Sequence, residues 1–455
     1  MIDFKKFEKY SKAGPRYTSY PTAPEFSEDF KESDLIKLYK SQDDNRPLSL
    51  YIHIPFCRSA CYFCGCNVIY TSKEEKKVKY IEYFKKELQI LKKYLNTKRQ
   101  VTQMHFGGGT PTFLSPEQLD DVMTSIKNVF TNFASDAEVS CEVDPRFFTK
   151  EHMQVLKQNG CNRISFGVQD LDEKVQKTIH RIQPYELTKS VIDIARQAGI
   201  KSINVDLIYG LPFQTQETFH KTTTKILALN IDRLAVFNYG HVPWVKKTMR
   251  KFDEDSFCTP AEKLNIFKDT VDNFTSNGYE MVGMDHFARP DDELFKAIEK
   301  GELHRNFQGY TTKGGTDLIG IGLTSIGNGV DYYAQNFKEL KTYEEALDNG
   351  SLPVFKGYIL SDEDILRQNV IMELMSNFSL NIIKLEQTFS IDFFKHFKEE
   401  VKELDEFIDA KLLTITKEKI EVSQTGTMLI RNIVMPFDEY LKKLPENKRR
   451  FSKTV

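Results

Sequence analysis

The sequence predicts an α/β chain: an incomplete six-fold β/α barrel, (β/α)6, carrying an N-terminal arm and a C-terminal, mainly helical, winged-helix-like domain. Three observations carry this expectation. Strand patterns alternate with helix patterns six times in succession, the sign of parallel strands that each return through a helix. Chemically unusual residues fall at the ends of the strand patterns, where such barrels place their active groups. From about residue 360 the alternation gives way to helices, expected over 362–376, 389–408 and 426–444, with a short hairpin between the last two. The expected divisions are an arm at 1–47, the barrel core at 48–285, a connecting segment over the active site at 286–359 and the helical domain at 360–455.

The elements follow in order. "LSLYIHI" (48–54) alternates strictly, with Leu48, Leu50, Ile52 and Ile54 on one face and Ser49, Tyr51 and His53 on the other, which is a strand. Residues 74–97 place Val78, Ile81, Phe84, Leu88, Leu91 and Leu95 at spacings of three and four, one face of a long helix. "VTQMHF" (101–106) is the second strand; its helix opens with Ser115 as N-cap, Pro116 in first position and Gln118 completing a capping box. "EVSCEVD" (138–144) precedes a helix that ends at Gly160. "RISFGVQ" (163–169), "SINVDLIYG" (202–210) and "DRLAVFNYG" (232–240) are the last three strands, each followed by a helical pattern. On the third strand Ser140, Glu142 and Asp144 share the face opposite Val139, Cys141 and Val143, and inward polar residues need a ligand.

Composition narrows the partners. With 63 basic and 65 acidic residues the formal charge is −2, so no global field draws the chain to nucleic acid or membrane, and a small partner is expected. The N-terminus lacks the apolar stretch of a signal peptide, and nothing approaches the roughly 18 apolar residues of a membrane span. A cytoplasmic protein is expected, and in a reducing compartment clustered thiols hold metal or do redox chemistry rather than pair.

Four of the seven cysteines lie in "CRSACYFCGC" (57–66). Cys57, Cys61 and Cys64 have the spacing C-x3-C-x2-C on a loop leaving a strand. A structural zinc site wants four Cys or His ligands, usually in two separated pairs, and no second pair exists here. Three thiolates leave one metal position open, which in an iron–sulfur cube is an iron free to bind substrate or cofactor. A zinc knuckle or accidental clustering is the competing reading. Cys141, Cys161 and Cys258 read as ordinary buried thiols.

"CRSACYFC" resembles the signature loop of the radical S-adenosylmethionine superfamily. More narrowly, "GPRYTSYPTA" (14–23), "LYIHIPFC" (50–57), "CYFCGCN" (61–67), "GGGTPT" (107–112), "EVDPR" (142–146), "SFGVQD" (165–170), "LIYGLP" (207–212), "GMDHFARPDDEL" (283–294) and "HRNFQGYTT" (304–312) together resemble the oxygen-independent coproporphyrinogen III oxidase family over almost the whole chain. The resemblance implies a radical-SAM barrel in which Cys57, Cys61 and Cys64 ligate a 4Fe-4S cluster and Cys66 is not a ligand. It further implies that S-adenosylmethionine chelates the open iron and is cleaved by one electron to methionine and a 5′-deoxyadenosyl radical. That radical would remove a β-hydrogen from a propionate of coproporphyrinogen III; loss of carbon dioxide and an electron leaves a vinyl group, twice over, giving protoporphyrinogen IX in haem biosynthesis.

Residue roles follow from the same resemblance. Tyr51 and Cys66 are the catalytic candidates, Tyr51 also contacting the methionine end of the cofactor. Gly108, Gly109, Thr110 and Glu142 would hold S-adenosylmethionine, with Gly240 and Ile326 completing the adenosine pocket by position. Phe63, Gln169, Arg181 and Asp206 match positions for a second S-adenosylmethionine. "HRIQ" (180–183) and Gly240 depart from the family's usual residues there. The substrate's carboxylates call for basic groups, and Arg16, Arg289 and Arg305 lie in the narrowing segments. A monomer served by a small reducing electron-transfer protein is expected. Other readings of the scaffold are a haem-binding chaperone, a haem-modifying radical SAM methyltransferase and a winged-helix DNA-binding protein. The last suffers from the C-terminal charge pattern, where Lys395, Lys398 and Lys402 are interleaved with Glu399, Glu400, Glu403 and Asp405.

Overall fold

The computed structural model describes residues 7–10, 12–41, 45–444, 451 and 454, so the first six residues of the expected arm and most of the last eleven residues of the expected helical domain lie outside the description. Six strands, β1 (Leu48–Ile54), β2 (Val101–Gly108), β3 (Phe133–Val143), β4 (Arg163–Gln169), β5 (Ser202–Tyr209) and β6 (Arg233–Asn238), lie side by side in chain order, all parallel. The helices that return between them are α1 (Glu74–Tyr94), α2 (Pro116–Val129), α3 (Lys150–Gln158), α4 (Tyr185–Gln197) and α5 (Gln216–Leu227), with α6 (Pro260–Ser276) after β6. β1 and β6 do not pair, so the barrel is open, as expected for an incomplete (β/α)6 fold.

Strand β1 buries Leu48, Leu50, Ile52 and Ile54 completely under the helices. Each contributes about 1.5–3 kcal/mol by leaving water. Ser115 accepts from the Gln118 amide in the anticipated capping box, and Gly160 follows α3 at φ +86°, a conformation without cost for glycine. Two local expectations change. On α1 the buried stripe runs through Tyr80, Ile81, Phe84, Glu87, Leu88 and Leu91, while Val78 is 46% exposed, because a buried carboxylate and tyrosine join the face that hydrophobicity alone assigned. Strand β3 starts at Phe133, five residues before the alternating pattern; the polar run Ser135–Asp136 hid it, and the pairing with β2 is irregular there.

The segment after the barrel helices does more than connect. β7 (Glu280–Met281) and β8 (His286–Ala288) add to the β6 edge as antiparallel strands. At the other edge β9 (Asp317–Ile321) runs parallel to β1, followed by antiparallel β10 (Ile326–Asn328), β11 (Tyr332–Asn336) and β12 (Val354–Ile359), making a twelve-stranded sheet among the described residues. Fully buried Asp317 fixes the β9–β1 junction by accepting from Arg46 and Arg99. A hairpin, His304–Asn306 with Gly309–Thr311, packs on helix α7 (Asp362–Asn377).

The C-terminal region is helical with a three-stranded sheet, one strand more than the anticipated hairpin: Ser379–Asn381 joins Leu413–Ile415 and Lys419–Val422. The two long helices expected there are broken. Residues 389–408 form three short pieces, and residues 426–444 are divided at Pro436, which cannot donate, and at Asp438, which caps a new turn. The arm is stitched to this region: Tyr17 donates to Asp438 at 3.0 Å, Asn432 to the Tyr10 carbonyl at 2.7 Å and Gln368 to the Tyr20 carbonyl at 2.9 Å.

Candidate functional site

The cysteine loop leaves the carboxyl end of β1. A two-residue ladder, Phe56–Cys57 against Ile69–Tyr70, closes its base, and the Cys64 amide bonds the Cys61 carbonyl at 3.1 Å to form its turn. The neighbouring glycine loop is zipped to the same strand end, Gly109 N donating to Ile54 O at 2.8 Å and Thr110 N to Phe56 O at 2.9 Å. A side chain at Gly109 would put its Cβ 2.7 Å from the Phe56 carbonyl, and at Gly108, φ +108°, 2.6 Å from the His53 ring, so only glycine allows this approach. Thr110 Oγ1 lies 3.4 Å from Cys57 Sγ.

All the cysteines are unpaired; Cys61 is buried, Cys57 and Cys64 half-buried, and Cys66 exposed with its carbonyl tied by Lys246 Nζ at 2.7 Å. Burial pushes the free Cys57 thiol up to about 12. Among the described residues no three His, Cys, Asp or Glu side chains converge as a cage for one ion. A cube takes its thiolates on different irons, so its ligand sulfurs need not converge on one point. Positive charge is arranged around the loop: Arg146 Nη2 and Arg181 Nη1 each lie 3.6 Å from Cys61 Sγ. Asp144 holds both arginines, at 2.7 and 3.0 Å; burial opposes its ionisation, but Arg181 and Arg146 overcome this and keep its carboxyl below the ordinary range.

Inside the barrel the inward residues of neighbouring strands form connected rows. Tyr51, His105 and Ser140 stand in register across β1, β2 and β3. The Tyr51 ring stacks on His105, whose ring nitrogens lie 2.7 Å from Ser140 Oγ and 3.4 Å from Glu142 Oε1, while the Tyr51 hydroxyl reaches His53 Nδ1 at 3.2 Å. Across β4 and β5, Ser165 and Asn204 donate to Asp206 at 3.0 and 2.7 Å. Removal from bulk water and the charge of Glu142 nevertheless raise Asp206 to about 6. Gln169 ends β4 in the left-handed region at φ +72°, a strained conformation for a non-glycine residue, and Gly167 beside it leaves room for the Gln169 amide and Arg181.

Phe63 packs against a buried cluster that includes Tyr239, Met249 and Phe252. Gly240 follows β6 and lines a cavity of about 550 Å³ with Asn238, Tyr209, Trp244, Arg16 and Asp285. None of Cys57, Cys61 and Cys64 lines that cavity. Ile326 packs with Phe26, Phe307 and Tyr333 at the opposite edge, its backbone against Gly320, the β9 neighbour of Tyr51. Polar atoms buried without partners include Arg181 Nε, Asn238 Oδ1, Arg305 Nε and Nη1, and Gln308 Nε2. Such orphaned groups are what a polar cofactor and an anionic substrate would satisfy, and the donor set fits a cluster with S-adenosylmethionine.

Of the arginine candidates, Arg289 is removed from the site: its Nε donates to the Ile231 carbonyl, at the amino end of β6. The sequence reading missed His105, Ser165, Asn204 and Arg146. The first three stand on inward faces two residues or one strand from chosen positions, a signal that strand alternation carries; the arginine's reach back to Cys61 needed the tertiary fold.

The chain matches the family model described as Radical SAM superfamily over residues 51–226 and that described as HemN C-terminal domain over residues 360–429. It is 58% identical over 457 residues to the oxygen-independent coproporphyrinogen III oxidase of Helicobacter pylori strain J99, covering 100% of this chain and 99% of that one. With the Escherichia coli K12 protein of the same name the identity is 43% over 453 residues, covering 100% and 98%. The solved structure of coproporphyrinogen III oxidase (HemN) from Escherichia coli, described as a radical SAM enzyme, superposes with a TM-score of 0.92, covering 96% of this chain and 99% of that one.

Proposed function

The chain belongs to the oxygen-independent coproporphyrinogen III oxidase family, and from that membership we infer its reaction: oxidative decarboxylation of two propionates of coproporphyrinogen III to vinyl groups, giving protoporphyrinogen IX without oxygen. It is a radical SAM oxidoreductase whose cofactors are a 4Fe-4S cluster and S-adenosylmethionine. When bound, the cluster supplies the electron that cleaves S-adenosylmethionine and so furnishes a carbon radical able to take hydrogen from an unactivated side chain. The observation that carries the reading is the loop of three unpaired thiols at the carboxyl end of β1, beside Arg146, Arg181 and an inward polar face.

Cys57, Cys61 and Cys64 would hold the cluster. Tyr51, Gly108, Gly109, Thr110, Glu142, Gly240 and Ile326 would hold S-adenosylmethionine, and Phe63, Gln169, Arg181 and Asp206 a second molecule of it. Arg181 and Arg146 place positive charge on the Cys61 sulfur. His105, fixed by Ser140, orients Glu142, and Ser165 with Asn204 orients Asp206. Phe63, packed against Tyr239 and Phe252, would help to exclude water beside the second cofactor molecule. Tyr51 is proposed as catalytic because its hydroxyl is held by His53, whose ring lies against Gly108, and Cys66 because it is an exposed residue whose backbone carbonyl is fixed by Lys246.

The partner set proposed is a small reducing electron-transfer protein and the tetrapyrrole, with neither nucleic acid nor membrane, for a monomer acting in the cytoplasm. In support, no helix among the described residues is long and apolar enough to cross a membrane, and the formal charge is −2.

The test is anaerobic reconstitution followed by product analysis. One 4Fe-4S cluster per chain, consumption of coproporphyrinogen III and release of 5′-deoxyadenosine with carbon dioxide are expected. Adenosyl cleavage without tetrapyrrole turnover would overturn the substrate, and a zinc-loaded colourless protein would overturn the chemistry.

A further inference from the structure

The cavity of about 550 Å³ beside Gly240 is assembled from three parts of the chain: the arm through Arg16, the barrel through Asn238 and Asp285, and the C-terminal region through Arg431. Asp285 is 8% exposed and is its resident anion. His286 Nδ1 lies 2.6 Å from one carboxyl oxygen, and Arg16 Nη1 stands at a loose 3.7 Å from the other. Behind it, the contacts run from His286 to the Tyr310 ring at 5.1 Å and from Tyr310 to the Arg305 guanidinium at 4.6 Å. Arg305 is half-buried, and its Nε and Nη1 are shielded from water with no acceptor. Arg16 therefore faces this carboxylate at the cavity wall, and Arg305, beyond Tyr310 and outside the cavity lining, holds two buried donors unsatisfied.

Resting on the reaction inferred above, we propose that Arg16 at the cavity wall and Arg305 behind Tyr310 receive a carboxylate of the tetrapyrrole that the enzyme retains rather than removes. Decarboxylation destroys the negative charge of the carboxylate that reacts. A guanidinium pair stabilises that charge in the ground state and would raise the barrier to its loss, so an arginine-held carboxylate is a handle and not a reacting group. A charged handle at one end of the molecule, with the aromatic wall of Tyr209, Trp244 and Phe267 for its body, orients the reacting side chains towards the cofactor face at Gly240. Arg431 is a positioning residue: it donates to the carbonyls of Gly14 and Pro15, the two residues before Arg16, and so fixes the arm that carries the handle's first cation.

The experiment uses the cluster-loaded full-length protein under anaerobic conditions. Binding of coproporphyrin III, the stable oxidised tetra-acid, and of its tetramethyl ester is followed by fluorescence. The wild type is expected to prefer the acid; Arg16→Met and Arg305→Met each weaken the acid by about tenfold or more, as loss of a charge-assisted hydrogen bond implies, and leave the ester unchanged. In turnover, KM for coproporphyrinogen III rises, and kcat falls by less than KM rises. Arg431→Met gives a smaller loss that Arg431→Lys partly restores. Arg289→Met, at the far end of β6, changes neither binding nor turnover. Cluster iron content reports folding, and if Arg305→Met fails to fold, Arg16→Met decides. Acid binding unchanged in Arg16→Met, or an equal loss for acid and ester, overturns the proposal while wild-type turnover leaves the reaction standing. A wild type that neither binds nor consumes the tetrapyrrole overturns both.

Discussion

Arg181 Nη1 lies 3.6 Å from the sulfur of Cys61 while the same nitrogen donates to Asp144 at 3.0 Å. A thiolate that accepts from a cation loses electron density, and a cluster bound to it is easier to reduce. Arg181→Met is therefore expected to make the cluster's reduction potential more negative, read by redox titration of the reduced cluster's paramagnetic signal. Arg146 remains on Asp144 in this variant and spares the fold from a bare buried carboxylate. An unchanged or more positive potential would remove Arg181 from the cluster's surroundings.

The ligand set makes opposite forecasts for neighbouring thiols. Cys64→Ser should purify and reconstitute without visible cluster absorbance, whereas Cys66→Ser should retain wild-type iron and sulfide, because Cys66 is exposed and lies beyond the turn that Cys61 and Cys64 close. A colourless Cys66→Ser protein would show that the ligands were counted wrongly.

Glu142 stands 3.4 Å from His105 and faces the polar interior. Glu142→Gln removes a charged acceptor without changing shape, and should weaken S-adenosylmethionine binding to the cluster-loaded protein by about tenfold, the worth of one charge-assisted hydrogen bond. Equilibrium dialysis checks this; affinity equal to wild type would mean that Glu142 does not touch the cofactor.

Gly109→Ala should cost about 1–3 kcal/mol, because its Cβ would meet the Phe56 carbonyl at 2.7 Å and strain the two bonds that tie the glycine loop to β1. Urea unfolding measures the loss, and faster release of cluster iron should accompany it, since Thr110 carries the contact to Cys57.

Glu87 supplies a pH dependence far from the site. It lies on α1, 3% exposed, and accepts from Gly322 N at 2.8 Å, Asn336 at 2.7 Å and Tyr343 at 2.5 Å. Burial outweighs these donors and raises its carboxyl from 4.5 to about 7. Below 4.5 both folded and unfolded chains hold the proton. Between 4.5 and 7 the folded chain keeps a proton that the unfolded chain has released, so this group's contribution to stability falls as pH rises, by no more than about 1.4 kcal/mol per pH unit. Glu87→Gln should flatten that slope in urea midpoints measured across the window; a slope as steep as wild type would assign the dependence to other groups.

The alternation of Leu48 to Ile54, the capping box at Ser115 and the spacing of the three cysteines are local properties, set by side-chain periods and hydrogen bonds within a few residues. That is why the barrel, its cysteine loop and the inward face of β3 were legible in the chain itself. The broken helices of 389–408 and 426–444 were less so, because apolar periodicity continues through Pro436 and Asp438 even where the backbone turns.

What the chain order could not reveal is which distant residues meet. Arg16, Asn238, Asp285 and Arg431 are scattered over more than four hundred positions, yet line one cavity, and Arg289, equally basic and equally close to the narrowing motif, points to the other end of β6. The physical reason is that ion pairing and burial depend on distance in space, which only the closed packing of arm, barrel and C-terminal region sets.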